Sequence, residues 1–377
     1  MNSQYKRVSH RRTCLICGKP DWCNYTPDAK ISFCARVINN ADRVSRTGWG
    51  VFYHEKSLFS QTAPLPFPSK PPPKKAELAP IEIRDFVYRK LIALSPASES
   101  DEIINGPKGL RARKILDFEN YGSLPQTRAE RESVAKQIRV LINRKFPDFV
   151  RKQKSSVAGL PGFWLDQRGR IQLWSEKDYS CPMMLIPYRA PNGLIQACQI
   201  RFMSRASSMV KGARYVWLSV AEKMGGTSCG SPLHYASYRP QKSKPILITE
   251  GALKAETVQK FRTDCDVVAN AGANCSHEEI VAASRLRPLY IAFDADFYEN
   301  THVARSIARL LNSMIEQSAV MKFYPRIYIL TWNLKIKGID DALLQNFSII
   351  PVTPSSWISS LSESCQREVK SNLKFVF

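Results

Sequence analysis

PILITEG (245–251), LKAETVQKF (253–261), CDVVANAG (265–272), SHEEIVAASRL (276–286), PLYIAFDAD (288–296), HVARSIARLLNSMI (302–315) and RIYILTW (326–332) decide the fold. The first, third, fifth and last read as short strands of apolar residues. The three between carry apolar side chains at helical spacing. Such alternation predicts the α/β class, a mainly parallel sheet with helices on both faces. In sheets of this kind reactive groups collect at the carboxyl ends of the strands.

Acidic residues stand at those ends. Glu250 with Gly251 closes the first strand, Asp294-Ala295-Asp296 closes the third, and Lys337-Gly338-Ile339-Asp340-Asp341 follows the fourth. One such acid alone is more often a helix cap or a solvated turn. Parallel strands end on one edge, so these acids are expected to converge there. Clustered carboxylates repel and raise one another's pKa unless a cation compensates. Hard oxygen ligands select Mg2+ or Mn2+. Two such ions would activate an attacking hydroxyl and neutralise a transferring phosphoryl group. At Gly251 the missing side chain leaves room for backbone to approach a metal-bound phosphate.

Upstream, MMLIPYRA and LIQACQIRF flank Asn192-Gly193, a pattern that predicts a hairpin with a two-residue turn. Helices are expected from Ile81 to about Ser95 and over Ala129–Asn143. The stretch 61–80 holds Pro64, Pro66, Pro68 and Pro71-Pro72-Pro73, and reads as a semi-rigid spacer. It separates a small module (1–60) from an α+β basic subdomain (81–243), the α/β domain (244–345) and a tail or docking element (346–377) with no functional reading.

Cys14, Cys17, Cys23 and Cys34 place four thiolates in a segment too small to fold on apolar burial, and a structural Zn2+ would order it. The bland reading is a basic loop with reduced cysteines. His10 or His54 could replace one ligand. Trp22, Tyr25 and Phe33, among Arg11, Arg12, Lys19, Lys30 and Arg36, would either grip phosphates and stack on bases or fill a miniature core. The six other cysteines are scattered singly, which fits a reducing compartment rather than a disulfide framework.

Charge agrees with a polyanionic partner. The chain of 377 residues holds 55 Lys and Arg against 33 Asp and Glu, a net charge of +22. No stretch has the apolar length of a membrane span, and the N-terminus lacks a secretion signal, so the cytoplasm is the expected location and no membrane partner is expected.

Together, Glu250-Gly251, Asp294-x-Asp296 and the later Asp pair resemble the TOPRIM domain of bacterial-type primases, topoisomerases, recombination mediators and some nucleases. CLICGKPDWC is similar to the zinc module that opens phage and plasmid primases, and LIPYRAPNGLIQACQIRF followed by ARYVWLS resembles the hairpin and basic strand that precede the TOPRIM core in bacterial primases. ITEGALKAE, IAFDADFYEN and KGIDDALL resemble the TOPRIM-type domain of plasmid replication proteins. The resemblance implies a DNA primase, a nucleotidyl transferase making short primers on single-stranded DNA from nucleoside triphosphates for a plasmid, phage or mobile element. It implies Glu250 as metal ligand or general acid/base, Asp294 and Asp296 as metal ligands, and Asp340 and Asp341 completing the Mg2+ or Mn2+ edge. Arg201, Lys211 and Arg214, joined by Lys254 and Lys337, would contact template or triphosphate. Two positions depart from the pattern. Lys254 stands where primases carry an Asp, weakening a second metal site or replacing one cation with an ammonium, and Phe297-Tyr298-Glu299-Asn300 lacks the usual glycine. No helicase P-loop occurs, so a separate replicative helicase is the expected partner. A TOPRIM nuclease and a non-catalytic replication initiator are the alternatives. A topoisomerase would need a further large domain bearing an active tyrosine.

Overall fold

The structure, a computed structural model, describes residues 5–9, 12–20, 22–28, 30–37, 41–45, 49–54, 77–204, 213–237, 239–285, 287–321 and 326–375. The chain divides into two compact units, 1–71 and 72–377. Most of the proposed spacer (61–76), with Lys211 and His10, lies outside the described residues.

The first unit is a five-stranded antiparallel sheet in the order β1-β2-β3-β5-β4. Its strands are β1 (Lys6–Arg7), β2 (Asn24–Tyr25), β3 (Ile31–Cys34), β4 (Arg43–Val44) and β5 (Gly50–Tyr53). Among its described residues the buried apolar side chains are Val8, Cys14, Cys23, Cys34 and Val51, with a few half-buried neighbours. So little apolar area cannot offset the entropy of ordering such a segment.

The second unit opens with α1 (Ile81–Leu94), α2 (Asp101–Asn105), β6 (Gly122–Leu124) and α3 (Arg128–Lys145). Thr127 and Glu130 form a reciprocal capping box that starts α3 one residue before the periodicity alone suggests. Then come α4 (Pro147–Gln153), β7 (Phe163–Leu165), β8 (Ile171–Leu173), β9 (Met183–Arg189), β10 (Ile195–Phe202) and β11 (Tyr215–Trp217). An antiparallel sheet runs β11-β10-β9-β6. The β9–β10 hairpin is present, but its loop is Pro191-Asn192-Gly193, three residues rather than two. Gly193 N–H bonds Ala190 O at 2.9 Å, and Gly193 sits at φ +80°. Pro191 fixes an ordinary right-handed φ at the first turn position, so only the glycine takes the left-handed one.

Strand β9 is buried at every position because both its faces are covered. Met183 and Leu185 join the core made with α1 and α3, whereas Met184, Ile186 and Tyr188 join a second core that includes Ala252 and Leu253 of the α/β half. This shared core ties the basic subdomain to the segment immediately after Glu250.

The α/β half contains β12 (His234–Tyr235), β13 (Ile246–Glu250), α5 (Ala252–Phe261), β14 (Asp266–Asn270), α6 (His277–Ala283) and β15 (Leu289–Ala292). It continues with α7 (Thr301–Met321), β16 (Ile327–Thr331), α8 (Ile339–Leu344), β17 (Ile350–Val352), α9 (Pro354–Ser360) and α10 (Glu363–Asn372). The sheet order is β12-β14-β13-β15-β16-β17, with the central four strands parallel and both edges antiparallel. Side chains alternate between faces as the pleat requires: Ile246 and Ile248 pack toward α6 and α7, and Leu247 toward α5 and α8. Residues 346–375, for which the sequence suggested a tail or docking element, are structured. They supply the edge strand β17 and two helices, and Trp357, Leu361, Cys365 and Val369 are buried in the core against α7.

Candidate functional site

In the first unit, a turn closed by Gly18 N–H on Cys14 O (2.8 Å) turns Cys14 and Cys17 toward Cys23, before β2, and Cys34, ending β3. The four sulfurs lie within 4.8 Å of one another. Cys17–Cys23 and Cys23–Cys34 are 3.6 and 3.8 Å apart. A tetrahedron with metal–sulfur bonds of ~2.3 Å has edges of about 3.8 Å, so the arrangement fits structural zinc. Burial pushes the Cys23 and Cys34 thiols up, a cost a bound cation would remove. His54 is not a ligand: its Nε2 pairs with Ser32 Oγ at 2.7 Å. Tyr25 is covered by the Arg12 guanidinium, 4.2 Å from its ring centroid, whereas Trp22 is exposed.

The second site lies at the carboxyl edge of the parallel sheet. Glu250 is the last residue of β13, and Gly251, at φ +87°, turns the chain into α5. A Cβ on Gly251 would meet no protein atom, so the positive φ is what requires glycine there. The next strand, β15, ends two residues before Asp294, whose N–H faces Glu250 Oε1 at 3.4 Å. Ala295 N–H bonds Lys337 O at 2.8 Å, tying this loop to the one that leads into α8. Asp340 and Asp341 occupy the first turn of α8. The convergence expected from the sequence is therefore met for Glu250, Asp294, Asp340 and Asp341, which line one cavity of about 520 Å3. Asp296 faces a neighbouring cavity, and Lys337 borders both.

Cations are threaded among these acids. Lys254, in the first turn of α5, is hydrogen-bonded to Asp294 Oδ1. Lys337 Nζ lies 3.6 Å from Asp294 Oδ2 and 3.4 Å from Asp296 Oδ2. Arg113 Nη1 donates to Asp340 Oδ2 at 2.8 Å. Two carboxylate oxygens, Asp296 Oδ1 and Asp340 Oδ1, are buried with no hydrogen-bond donor. Burial, then the neighbouring Asp294, pushes the Glu250 carboxyl above its usual range. Burial alone would lower the Lys254 ammonium, but Asp294, Asp340 and Glu250 outweigh it and raise its pKa. Among the described residues, the cysteines are the one group of three or more Cys, His, Asp or Glu whose ligand atoms converge within 4.8 Å. The carboxylates share a rim without forming one coordination sphere.

The basic residues expected at the site divide. Arg214 lines the cavity, and Lys254 and Lys337 are engaged with carboxylates. Arg201 departs from expectation: it is 1% exposed, donates from Nη1 to Lys108 O at 2.6 Å, and lies 5.8 Å from the Tyr215 ring centroid. So buried a guanidinium supports its neighbours and cannot itself reach a template backbone. Sequence reading missed Lys108, Arg113 and Tyr215, all of which line the cavity. The basic run KGLRARK (108–114) was the available signal.

No family model matches the chain, and no curated protein matches it. Among solved structures it is similar to the zinc-binding and RNA polymerase domains of Aquifex aeolicus primase, with 14% identity, 78% of this chain and 73% of that chain covered, and a TM-score of 0.44. It is similar also to the RNA polymerase domain of Mycobacterium tuberculosis primase DnaG (16% identity, 77% and 93% covered, TM-score 0.48). A third is the E. coli primase catalytic core (13% identity, 79% and 98% covered, TM-score 0.44). Among the described residues no helix is long and apolar enough to cross a membrane.

Proposed function

We propose that the chain is a DNA primase-type nucleotidyl transferase that joins nucleoside triphosphates on a single-stranded DNA template with the help of Mg2+ or Mn2+. One observation carries the reading: Glu250, Asp294, Asp340 and Asp341 meet in a cavity that Lys108, Arg113 and Arg214 also line. Acids alone would repel a triphosphate, and bases alone would bind it without activating anything. The residues present fit a divalent cation, because Asp340 Oδ1 and Asp296 Oδ1 are donor-less buried oxygens and every candidate ligand is a hard carboxylate. Glu250, Asp294 and Asp340 would hold the ion, which when bound neutralises charge developing on the phosphoryl group.

The chain's own residues supply the rest. Glu250, at the end of β13 beside Asp294, is placed to take a proton from the attacking hydroxyl at the carboxylate oxygen that the ion leaves free. Lys108 and Arg214 border the cavity where phosphates would lie, and the exposed Tyr215 ring offers a stacking face. Arg201 and Arg113 act as positioning residues, the first beneath Lys108 and Tyr215, the second on Asp340. The zinc module would select template, a separate helicase would open the duplex, and the setting would be cytoplasmic replication of a plasmid, phage or mobile element. The motif resemblances support these assignments.

The test is incubation of the pure protein with single-stranded DNA, nucleotides and Mg2+ or Mn2+, beside Glu250→Gln and Asp294→Asn. New oligonucleotides, lost in both variants, are expected. A shortened template would favour a nuclease instead, and binding without chemistry an initiator.

A further inference from the structure

We infer that Gln199 contacts the base of the bound nucleoside triphosphate, donating a hydrogen bond from Nε2 to an acceptor on a base laid over the Tyr215 ring. This inference rests on the proposed nucleotidyl-transfer reading of the same cavity and adds to it a polar contact with the base.

The cavity has two kinds of wall. Glu250, Asp294, Asp340 and Asp341 give it a charged one, from the α/β half. Ile186, Gln199 and Tyr215 give it an uncharged one, from β9, β10 and β11. Gln199 pairs with Ile186 on one side and Trp217 on the other, so Tyr215 is its diagonal neighbour. Diagonal neighbours share a face of the sheet about 7–8 Å apart, within reach of long side chains. Tyr215 is 40% exposed, which leaves its ring open to stacking. Phosphates are drawn to Lys108 and Arg214, and the ring beside an uncharged amide is left for the base.

The amide has a fixed orientation. Tyr188 O–H donates to Gln199 Oε1 at 3.2 Å. Burial pushes the Tyr188 hydroxyl up, so it stays neutral and keeps its hydrogen, while the Ala252 N–H bonds its oxygen. Ala252 opens α5, where the leading N–H groups have no carbonyl within the helix. A hydroxyl whose oxygen already accepts one bond gives its single hydrogen to the carbonyl end of an amide. Trp217 and His234 hold the Tyr188 ring by edge contacts, with centroids 4.6 and 5.5 Å away. Tyr188 is wholly buried and does not line the cavity, whereas Gln199 does. Oε1 is thus turned into the core and Nε2 toward the cavity. Among the described residues Nε2 has no hydrogen-bond partner. A donor held this way in a mostly buried side chain gains from a ligand acceptor, and the bases present carbonyl oxygens or ring nitrogens that accept.

The experiment measures, by calorimetry in Mg2+ without template, binding of ATP, GTP, CTP and UTP to the zinc-loaded full chain, beside a ribose triphosphate that lacks the base. Gln199→Met keeps the side-chain length without the amide. It should weaken each nucleotide about tenfold, a change worth ~1.4 kcal/mol, and leave the base-less triphosphate as in wild type. That unchanged binding also reports a folded site. Tyr188→Phe, which leaves the amide in place but unheld, should weaken the nucleotides less than Gln199→Met does. Tyr215→Ala should weaken them and Tyr215→Phe should not. Nucleotide binding unaffected by Gln199→Met, or a base-less triphosphate weakened as much as the nucleotides, would overturn the inference. A wild type that binds the base-less triphosphate as tightly as ATP would overturn it too, and leave the nucleotidyl-transfer reading standing. A wild type that binds neither would sink that reading together with it.

Discussion

Arg113→Ala is the perturbation whose cost the structure lets one work out. Arg113 Nη1 and Asp340 Oδ2 are 2.8 Å apart, with side chains 18% and 5% exposed. At that separation and an effective dielectric constant near 20, the gross attraction is about 6 kcal/mol. Desolvation of both ions cancels most of it, so the net worth of the pair is small. Removing the arginine alone is different, since it leaves Asp340 charged, buried, and with neither oxygen receiving a donor bond. Such deletions cost ~3–5 kcal/mol. Lys254 also attracts Asp340, which favours the lower end, about 3 kcal/mol, or a fall of about 6 °C in Tm for a unit of this size. Asp340→Asn should cost only about 1 kcal/mol, because the partly exposed guanidinium can turn to water. The double variant should then lose about 2 kcal/mol less than the two singles combined. Calorimetry of the four proteins closes the cycle, and added Mn2+ should restore Arg113→Ala more than wild type. An additive double variant, or an Arg113→Ala cost below about 1 kcal/mol, would refute the claim that Asp340 is a buried charge held by this arginine.

Replacing Cys14 and Cys17 by Ser should abolish zinc binding, read by elemental analysis, and leave the transition of the second unit unchanged; retained zinc would contradict the four-thiolate site. The pH dependence follows from the raised carboxyls. Burial and then Asp294 raise Glu250 above its ordinary 4.5, and burial and then Asp340 raise Asp341 above its ordinary 3.8. Folded protein therefore holds protons that the unfolded chain releases. The stability these groups contribute is full below the ordinary values and is lost as pH rises through the raised ones. Without added divalent ion, Glu250→Gln should thus gain Tm relative to wild type as pH rises from 4.5 toward neutrality, and Mn2+ should erase the gain. A difference that does not change with pH would be the contrary result.

The central sheet was legible because its strands are buried on both faces and so read as unbroken apolar runs, and Glu250, Asp294 and Asp340 could be placed by noting where those runs stop. The last 30 or so residues were not legible for the opposite reason. Strand β17 is three residues of Ile-Pro-Val at an exposed edge, where a proline is tolerated and no alternation can develop. Its helices are short, and the burial of Trp357 depends on α7, some 50 residues earlier. The partner of Asp340 was equally hidden: Arg113 is 227 positions away in a single 3-10 turn, which has no periodicity to read. Arg201 shows the limit of charge as a signal. Its place on β10 put it on a face that the Lys108 backbone and the Tyr215 ring cover, and nothing in the residue type distinguishes that burial from exposure.

Cleavage of the backbone by hydroxyl radicals from Fe2+ bound in place of Mg2+ reports directly on where a divalent ion sits. The metal-assisted account predicts cuts clustered near residues 250–251, 294–296 and 338–341, suppressed by excess Mg2+ and by Asp294→Asn. Cuts elsewhere, or none at these three loops in a folded protein, would contradict it.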